Sequence, residues 1–194
     1  MDKFFYHPLR PFILGQKFGE NKACVDLATN SKVIACDGFN PPEGYRSVYG
    51  SNGHTGIDLG AFHGQEAYCA QRGYVDSIDT NPRTGLDVRI VSQIGLRKFR
   101  HIYEHLLGYQ PTKGSWVETG QLVGWCNNTG YSSGDHLHFQ LEEWLDGQWV
   151  PIDPLPLMAD VFARDILAIN NTIKFLFEQI ARLADNLASF LRSR

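Results

Sequence analysis

Two histidines stand one residue apart in SSGDHLHFQ, residues 132–140. In an extended strand, residues i and i+2 share a face. His136 and His138 are therefore expected to look out together, with Leu137 turned into a core. Two imidazoles side by side suit a divalent metal ion, or a metal ion beside a proton carrier. Upstream, GHTGIDLG (residues 53–60) puts three residues between His54 and Asp58. On a helix that spacing makes an i, i+4 pair, but three glycines favour a turn leading into a strand. His54 then belongs to the turn and Asp58 to the strand. Each motif alone is a weak signal. Together they supply two imidazoles and one carboxylate, a usual set for a catalytic zinc site with one position left open. The ligands are expected to be His54, Asp58 and one of His136 and His138. The remaining histidine of the pair is left beside the site for proton transfer. YEHL adds His105, with Tyr103 alternating on its face. His101, four residues earlier, is expected on that face too, so spacing does not choose between them. Asp135 reads as a turn residue, and His7 and His63 as ordinary surface or core histidines.

These groups need a scaffold, and as far as Pro156 the pattern is β. Segments such as GLDVRIVSQI, KFRHIYEHLL, DHLHFQLEEW and GQWVPID mix alternation with short apolar runs. Turn signals separate them at Asn81-Pro82, Thr84-Gly85, Lys113-Gly114, Thr119-Gly120 and Asp146-Gly147. Strands this close in sequence predict an antiparallel sheet or sandwich, not a βαβ array. Residues 20–53 read as a long surface loop beside a groove. The pattern changes after Asp153-Pro154-Leu155-Pro156. From Met158 onward there is no Gly or Pro, and apolar residues fall at Phe162, Ile166, Ile169, Ile173, Leu176, Ile180, Leu183, Leu187 and Phe190. The four-three alternation predicts a long helix with a heptad repeat. Taking Ile166, Ile173, Ile180 and Leu187 as a places Ile169, Leu176 and Leu183 at d, a mixture that does not select one oligomer. Ala163, Phe177, Ala184 and Leu191 at e widen the apolar face. A helix folded back on its own domain, self-association and docking on a partner protein all fit. A membrane-surface helix fits least, because the polar face mixes Asp165, Lys174, Glu178, Arg182 and Asp185. The expected division is a β domain over 1–157 and a heptad helix over 158–194.

The chain has 194 residues with 43% apolar and 20% charged, room for one core domain and an appendage. A net charge of -3 gives no reason to expect a nucleic-acid partner. The apolar start is interrupted by His7, Pro8, Arg10 and Pro11, so no signal peptide is expected. No apolar run is long enough to span a bilayer. The four cysteines miss zinc-finger spacing. Cys24 and Cys36 bracket a polar loop, while Cys69 and Cys126 read as small buried side chains; disulfides within either pair stay open.

GHTGIDLG, YEHL and GSWVETGQLVGWCNNTGYSSGDHLHFQL, taken in order, resemble the lysostaphin-like zinc endopeptidases of bacterial cell walls. LGQKFGEN is similar to that family's first strand and glycine turn, and DPLPL to its usual ending. The resemblance covers residues 10–157. Asp135 stands where the family often has Pro, and Cys69 and Cys126 where small residues are common. The resemblance implies a mainly β, duplicated hybrid motif domain with a groove across its sheet. It implies Zn²⁺ held by His54, Asp58 and His138, with His105 and His136 as the catalytic histidines. The implied reaction is hydrolysis of peptide bonds in the stem or crossbridge of bacterial peptidoglycan, by metal-activated water with two assisting histidines. Tyr45, Tyr49, Tyr109 and Tyr131 are candidates for a substrate-binding rim.

A wall-cutting enzyme made in the cytoplasm with no signal peptide needs a route out: lysis, a secretion machine or a phage particle. A phage tail-associated or lytic enzyme fits a compact domain joined to an oligomerising helix. The alternative is a non-enzymatic wall-binding or assembly module oligomerised by residues 158–194.

Overall fold

The computed structural model of the protein describes residues 3–20, 25–26, 31–32 and 54–192. The expected loop over 20–53, with Tyr45, Tyr49, Cys24 and Cys36, lies almost wholly outside the described residues. The strands are β1 (Phe5–His7), β2 (Leu14–Gln16), β3 (Val25–Asp26), β4 (Ser31–Lys32), β5 (Ile57–Gly60), β6 (Glu66–Tyr68) and β7 (Gly73–Asn81). They continue with β8 (Gly85–Ile94), β9 (Arg97–Tyr109), β10 (Trp116–Val117), β11 (Leu122–Cys126), β12 (His136–Leu145), β13 (Gln148–Ile152) and β14 (Met158–Phe162). One helix, α1 (Ala163–Arg192), closes the chain. Ten strands form a single antiparallel sheet along β10-β7-β8-β9-β12-β5-β2, with β13 beside β12 and β11 bridging β6 and β9. The fold is thus mainly β with a C-terminal helix, as the pattern predicts.

Alternation decides which face each strand buries. On β12, Leu137, Phe139 and Leu141 are fully buried in the core. They stand with Tyr103 and His101 of β9, since Phe139 pairs with Tyr103 and Leu141 with His101. Rings meet edge to face there: Phe139 lies 5.3 Å from Tyr103, and Phe5 lies 5.4 Å from Phe99. The opposite face of β12 carries His136, His138, Gln140 and Glu142. Pairing runs His138 to Glu104 and Glu142 to Arg100 on β9, and His138 to Asp58 on β5. The two-residue turn Asp146-Gly147 closes the β12–β13 hairpin at the Leu145–Gln148 pair.

Two expectations need correction. Residues 158–162 form a strand that pairs in parallel with β1, so the helix begins at Ala163 and Phe162 is not part of it. Packing on β1 overrides the heptad spacing at this end, where Met158 and Ala163 are buried. Second, His101 and His105 do not share a face. Tyr103 pairs with Val88 and Leu106 with Leu86, so β9 carries one extra residue at this point. His105, within this bulge, has φ 62°. The insertion reverses the alternation: His101 stays in the core and His105 turns to the other side. Cys69 and Cys126 are buried free thiols.

His101 is sealed in a closed hydrogen-bond chain. Tyr103 donates its hydroxyl to Nδ1 (3.0 Å), and Nε2 donates to Ser92 Oγ (3.0 Å). Ser92 in turn donates to the Arg72 carbonyl, and Tyr103 accepts from the Ala70 amide. The chain has a place for the neutral ring only. Burial pushes the His101 pKa down to about 3. The unfolded chain takes up this proton near pH 6.5 and the folded protein does not, so stability is complete above pH 6.5 and falls as the pH drops toward 3. The contribution to the slope is up to about 1.4 kcal/mol per pH unit. His101→Gln is expected to be less stable at neutral pH but to lose less stability between pH 6.5 and 4 than the parent. Urea unfolding at several pH values checks this, and equal slopes would refute it.

Candidate metal centre

Three potential ligand atoms meet where β12, β5 and the turn before β5 converge. His138 Nδ1 lies 2.9 Å from Asp58 Oδ1, His54 Nε2 lies 3.0 Å from the same oxygen, and the two nitrogens are 2.9 Å apart. All three ligand atoms lie within 4.8 Å of one another. The triangle cannot be satisfied by hydrogen bonds alone. His54 Nδ1 donates to the Lys17 carbonyl at 3.1 Å, so neutral His54 presents a bare Nε2. A lone pair then faces a carboxylate oxygen with no proton between them. A cation held by all three atoms would remove the conflict at each edge, and two imidazoles with one carboxylate are a zinc set. The residues fit the metal.

Local sequence explains each position. Asp58 and His138 are directly opposed in the β5–β12 pair, which brings their side chains to one face. His54 is tied down from behind: its amide donates to Glu20 O (3.1 Å) and its carbonyl accepts from Gly19 N (2.8 Å). Gly56 is required by close approach. A Cβ there would stand 2.4 Å from Phe139 O and 2.9 Å from His138 Nε2, so any side chain would push β12 away from the site.

Two more imidazoles flank the triangle. The His105 ring lies 4.7 Å from the His136 ring and 6.1 Å from that of His138. His105 Nδ1 donates to Thr129 O at 2.7 Å, and His136 Nδ1 donates to Gly134 O at 2.8 Å. Each bond orients its ring, and in the neutral His105 it leaves Nε2 bare. His136 Nε2 reaches to 3.5 Å of Asp58 Oδ1.

The electrostatics separate the two. Burial, then the neighbouring His136 and His138, push His105 down to about 4. His136 moves the other way: burial opposes its charge, but the hydrogen bond and charge of Asp58 outweigh it and raise its pKa. Burial also works against the Asp58 charge, yet the hydrogen bonds of His136 and then His138 hold its carboxyl well below the usual range. His138 is raised despite burial, first by the charge of Glu104 and then by Asp58. Burial raises the pKa of Glu104 itself. His138 Nε2 is buried without a hydrogen-bond partner, on the side of the ring away from the triangle.

The structure thus brings His54, Asp58, His138, His105 and His136 together. Asp135 orients none of them; it lies 3.7 Å from the exposed His63. Tyr131 is exposed in the loop that also carries Thr129 and Gly134, and Tyr109 is exposed at the end of β9, four residues past His105. Tyr45 and Tyr49 lie outside the described residues. Sequence reasoning missed the carbonyls of Lys17, Thr129 and Gly134, which leave no trace in residue type. It also passed over Glu104, a carboxylate opposed to His138, and Phe62, an exposed ring two residues beyond β5.

Comparison with known proteins agrees with this geometry. Residues 52–154 match Peptidase family M23. Lysostaphin of Staphylococcus simulans is 31% identical over 112 residues, which are 56% of this chain and 22% of that protein. Glycyl-glycine endopeptidase ALE-1 of Staphylococcus capitis is 32% identical over 112 residues, 57% of this chain and 30% of that protein. The chain spans less than a third of the length of these curated relatives. Among solved structures, the catalytic domain of lysostaphin superposes with TM-score 0.53 at 22% identity, covering 75% of this chain and 90% of that one. A mutant catalytic domain of EnpA, a prophage-encoded M23 protein from Enterococcus faecalis, gives TM-score 0.56 at 22% identity over 78% and 95%. The structural likenesses establish a common fold, and the matched span takes in more than half of the chain, which belongs to the metallopeptidases of family M23.

Proposed function

We propose that the protein is a zinc-dependent endopeptidase that cleaves peptide bonds in the stem or crossbridge of bacterial peptidoglycan. The observation that carries this reading is the His54–Asp58–His138 triangle with two imidazoles oriented by backbone carbonyls at its side. His54 through Nε2, Asp58 through Oδ1 and His138 through Nδ1 would hold the zinc. Bound there, zinc would polarise the scissile carbonyl and acidify a water molecule. His105, kept neutral by burial and by its imidazole neighbours, presents a bare Nε2 and acts as the proton acceptor. His136, whose protonated form Asp58 favours, steadies negative charge developing on the carbonyl oxygen and supplies the proton for the leaving amine. Cell-wall peptides are the substrate class favoured by the names of the relatives, lysostaphin and a glycyl-glycine endopeptidase. Tyr109 and Tyr131, exposed near the loop that orients the flanking histidines, are proposed as the substrate rim.

The place of action is proposed to be the wall, reached in a phage tail, by lysis or through a secretion machine. Among the described residues no helix is long and apolar enough to cross a membrane. Residues 158–194 are proposed as a separate docking unit beyond the peptidase domain of 1–157, joining a partner protein or further copies of the chain.

Wall suspensions are expected to clear, with about one zinc per chain, and chelation or His138→Ala should abolish clearing. Mass analysis of released fragments would name the bond. A protein that holds zinc and binds walls yet releases no new amine would refute hydrolysis and leave a binding module. His105→Ala is expected to lower turnover by about 10²–10⁴-fold while zinc content stays the same.

Glu104→Gln removes the buried carboxylate opposed to His138. Zinc affinity, read by competition with a chelator, is expected to fall, because a negative charge facing His138 is lost. Unchanged affinity would show that His138 does not sense Glu104.

A further inference from the structure

We infer that helix α1 is the oligomerisation element of this protein and that its partner is the same helix in further copies of the chain, joined as a coiled coil. This narrows the docking proposed above to one occupant.

The root of the helix is fixed to the β domain. Ala163 is buried, Arg10 pairs with Asp165 at 3.0 Å, and the Arg164 guanidinium stacks 5.4 Å from the Tyr68 ring. At Gly120 a Cβ would strike Ala163 O and Leu167 Cβ, at 2.1 and 2.7 Å, so the first turn is seated where only a glycine leaves room. The packing then stops. From Ala168 to Asp185 every side chain is exposed except Gln179, which is partly covered. A helix of 30 residues is about 45 Å long, and most of that length stands clear of the domain with an apolar stripe in water. Ile169, Ile173, Leu176, Ile180 and Leu183 are 46–68% exposed, and Phe177 is 68% exposed.

Two features of the stripe say what covers it. The first is its period. A helix lying on a sheet or on a globular surface needs apolar residues every 3.6 positions. Here they recur at 3.5, four then three, without a slip from Ile166 to Leu183. The same spacing continues in sequence through Leu187 to Phe190, and a repeat of that length on a helix left unpacked by its own domain suits the seam of a supercoil with another helix. The second is the flank. Positions e and g normally carry the charges that select a partner and its orientation. Here g holds Thr172 and Gln179 beyond the Asp165 already paired to Arg10, and e holds Asn170, Phe177 and Ala184. Charged residues sit at b, c and f: Lys174, Arg182, Glu178 and Asp185. Nothing along the seam repels an identical copy, and no charge code calls for a different one. The apolar e positions also widen the surface that a neighbouring copy would remove from water.

The consequence for the proposed activity is multivalency. Several peptidase domains on one stalk would meet a substrate that repeats the same bond, and retention on a polymer would exceed that of one domain.

Sedimentation equilibrium of the full chain tests the inference. The wild type is expected to show at least twice the mass of one chain. Ile173→Asp combined with Ile180→Asp is expected to return it to a single chain with the β domain still folded, because both side chains are exposed within one copy. Lys174→Asp, on the outer face, should leave the wild-type mass unchanged. A wild type that sediments as one chain overturns the inference, and so does a double variant that keeps the wild-type mass. Mass is read without turnover, so an oligomer that cuts nothing would refute the proposed hydrolysis and leave this inference standing. If both hold, the double variant should cleave short soluble peptides as the parent does and bind wall fragments at least tenfold less tightly.

Discussion

Three basic atoms held about 3 Å apart, with fewer protons than contacts, are the constraint around which the domain is organised. His54 Nε2, Asp58 Oδ1 and His138 Nδ1 would repel one another if nothing lay between them. The scaffold holds them there through backbone pairing. Asp58 faces His138 because β5 and β12 are in register. That register is set by Leu59, Leu137 and Phe139 filling the core on the opposite face. A slip of one residue would turn Asp58 and His138 inward and the apolar residues outward. The apolar side of the sheet thus pins the polar side, and a metal ion would relieve the crowding that the pinning imposes.

The second organising feature is the break in β9. Up to Glu104 this strand pairs with β12, and from Leu106 onward it pairs with β11. His105 sits where the partner changes, with φ 62° and its amide given to Thr84 O. Bulges re-aim side chains at the edges of sites, and here the bulge assigns neighbouring histidines opposite fates. His101 is buried, neutral and fully bonded within the core. His105 is brought 4.7 Å from His136. Glu104, opposed to His138 across the β9–β12 pair, favours the charged form of that imidazole. The site is therefore graded: a carboxyl whose pKa is held low at the centre, an imidazole whose pKa is raised on one side and an imidazole whose pKa is lowered on the other.

The β domain and the helix obey different packing rules. Strands bury their apolar residues within one chain, at a period of two. The helix buries only its first turn there and leaves a 3.5-residue stripe in water. Its root packs on the domain through Ala163, Gly120 and the Arg10–Asp165 pair.

Much of this was readable from the amino-acid order. HxH on a strand and HxxxD on a turn follow from local geometry, and so does the change of period near residue 158, because alternation and heptads are properties of the chain itself. Which imidazole of each pair does what was not readable. Strict alternation put His101 and His105 on one face, and only the bulge, forced by pairing with β8, β11 and β12 together, separates them. The choice of His138 over His136 as the nearer neighbour of His54 depends on a strand 80 residues away in sequence. The start of the helix moved to Ala163 because residues 158–162 found a partner in β1. The carbonyls of Lys17, Thr129 and Gly134 that orient the rings belong to backbone every residue shares. Sequence determines which chemistry is present and its local period. Distance, tautomer and charge state arise from long-range pairing, and only the folded sheet decides them.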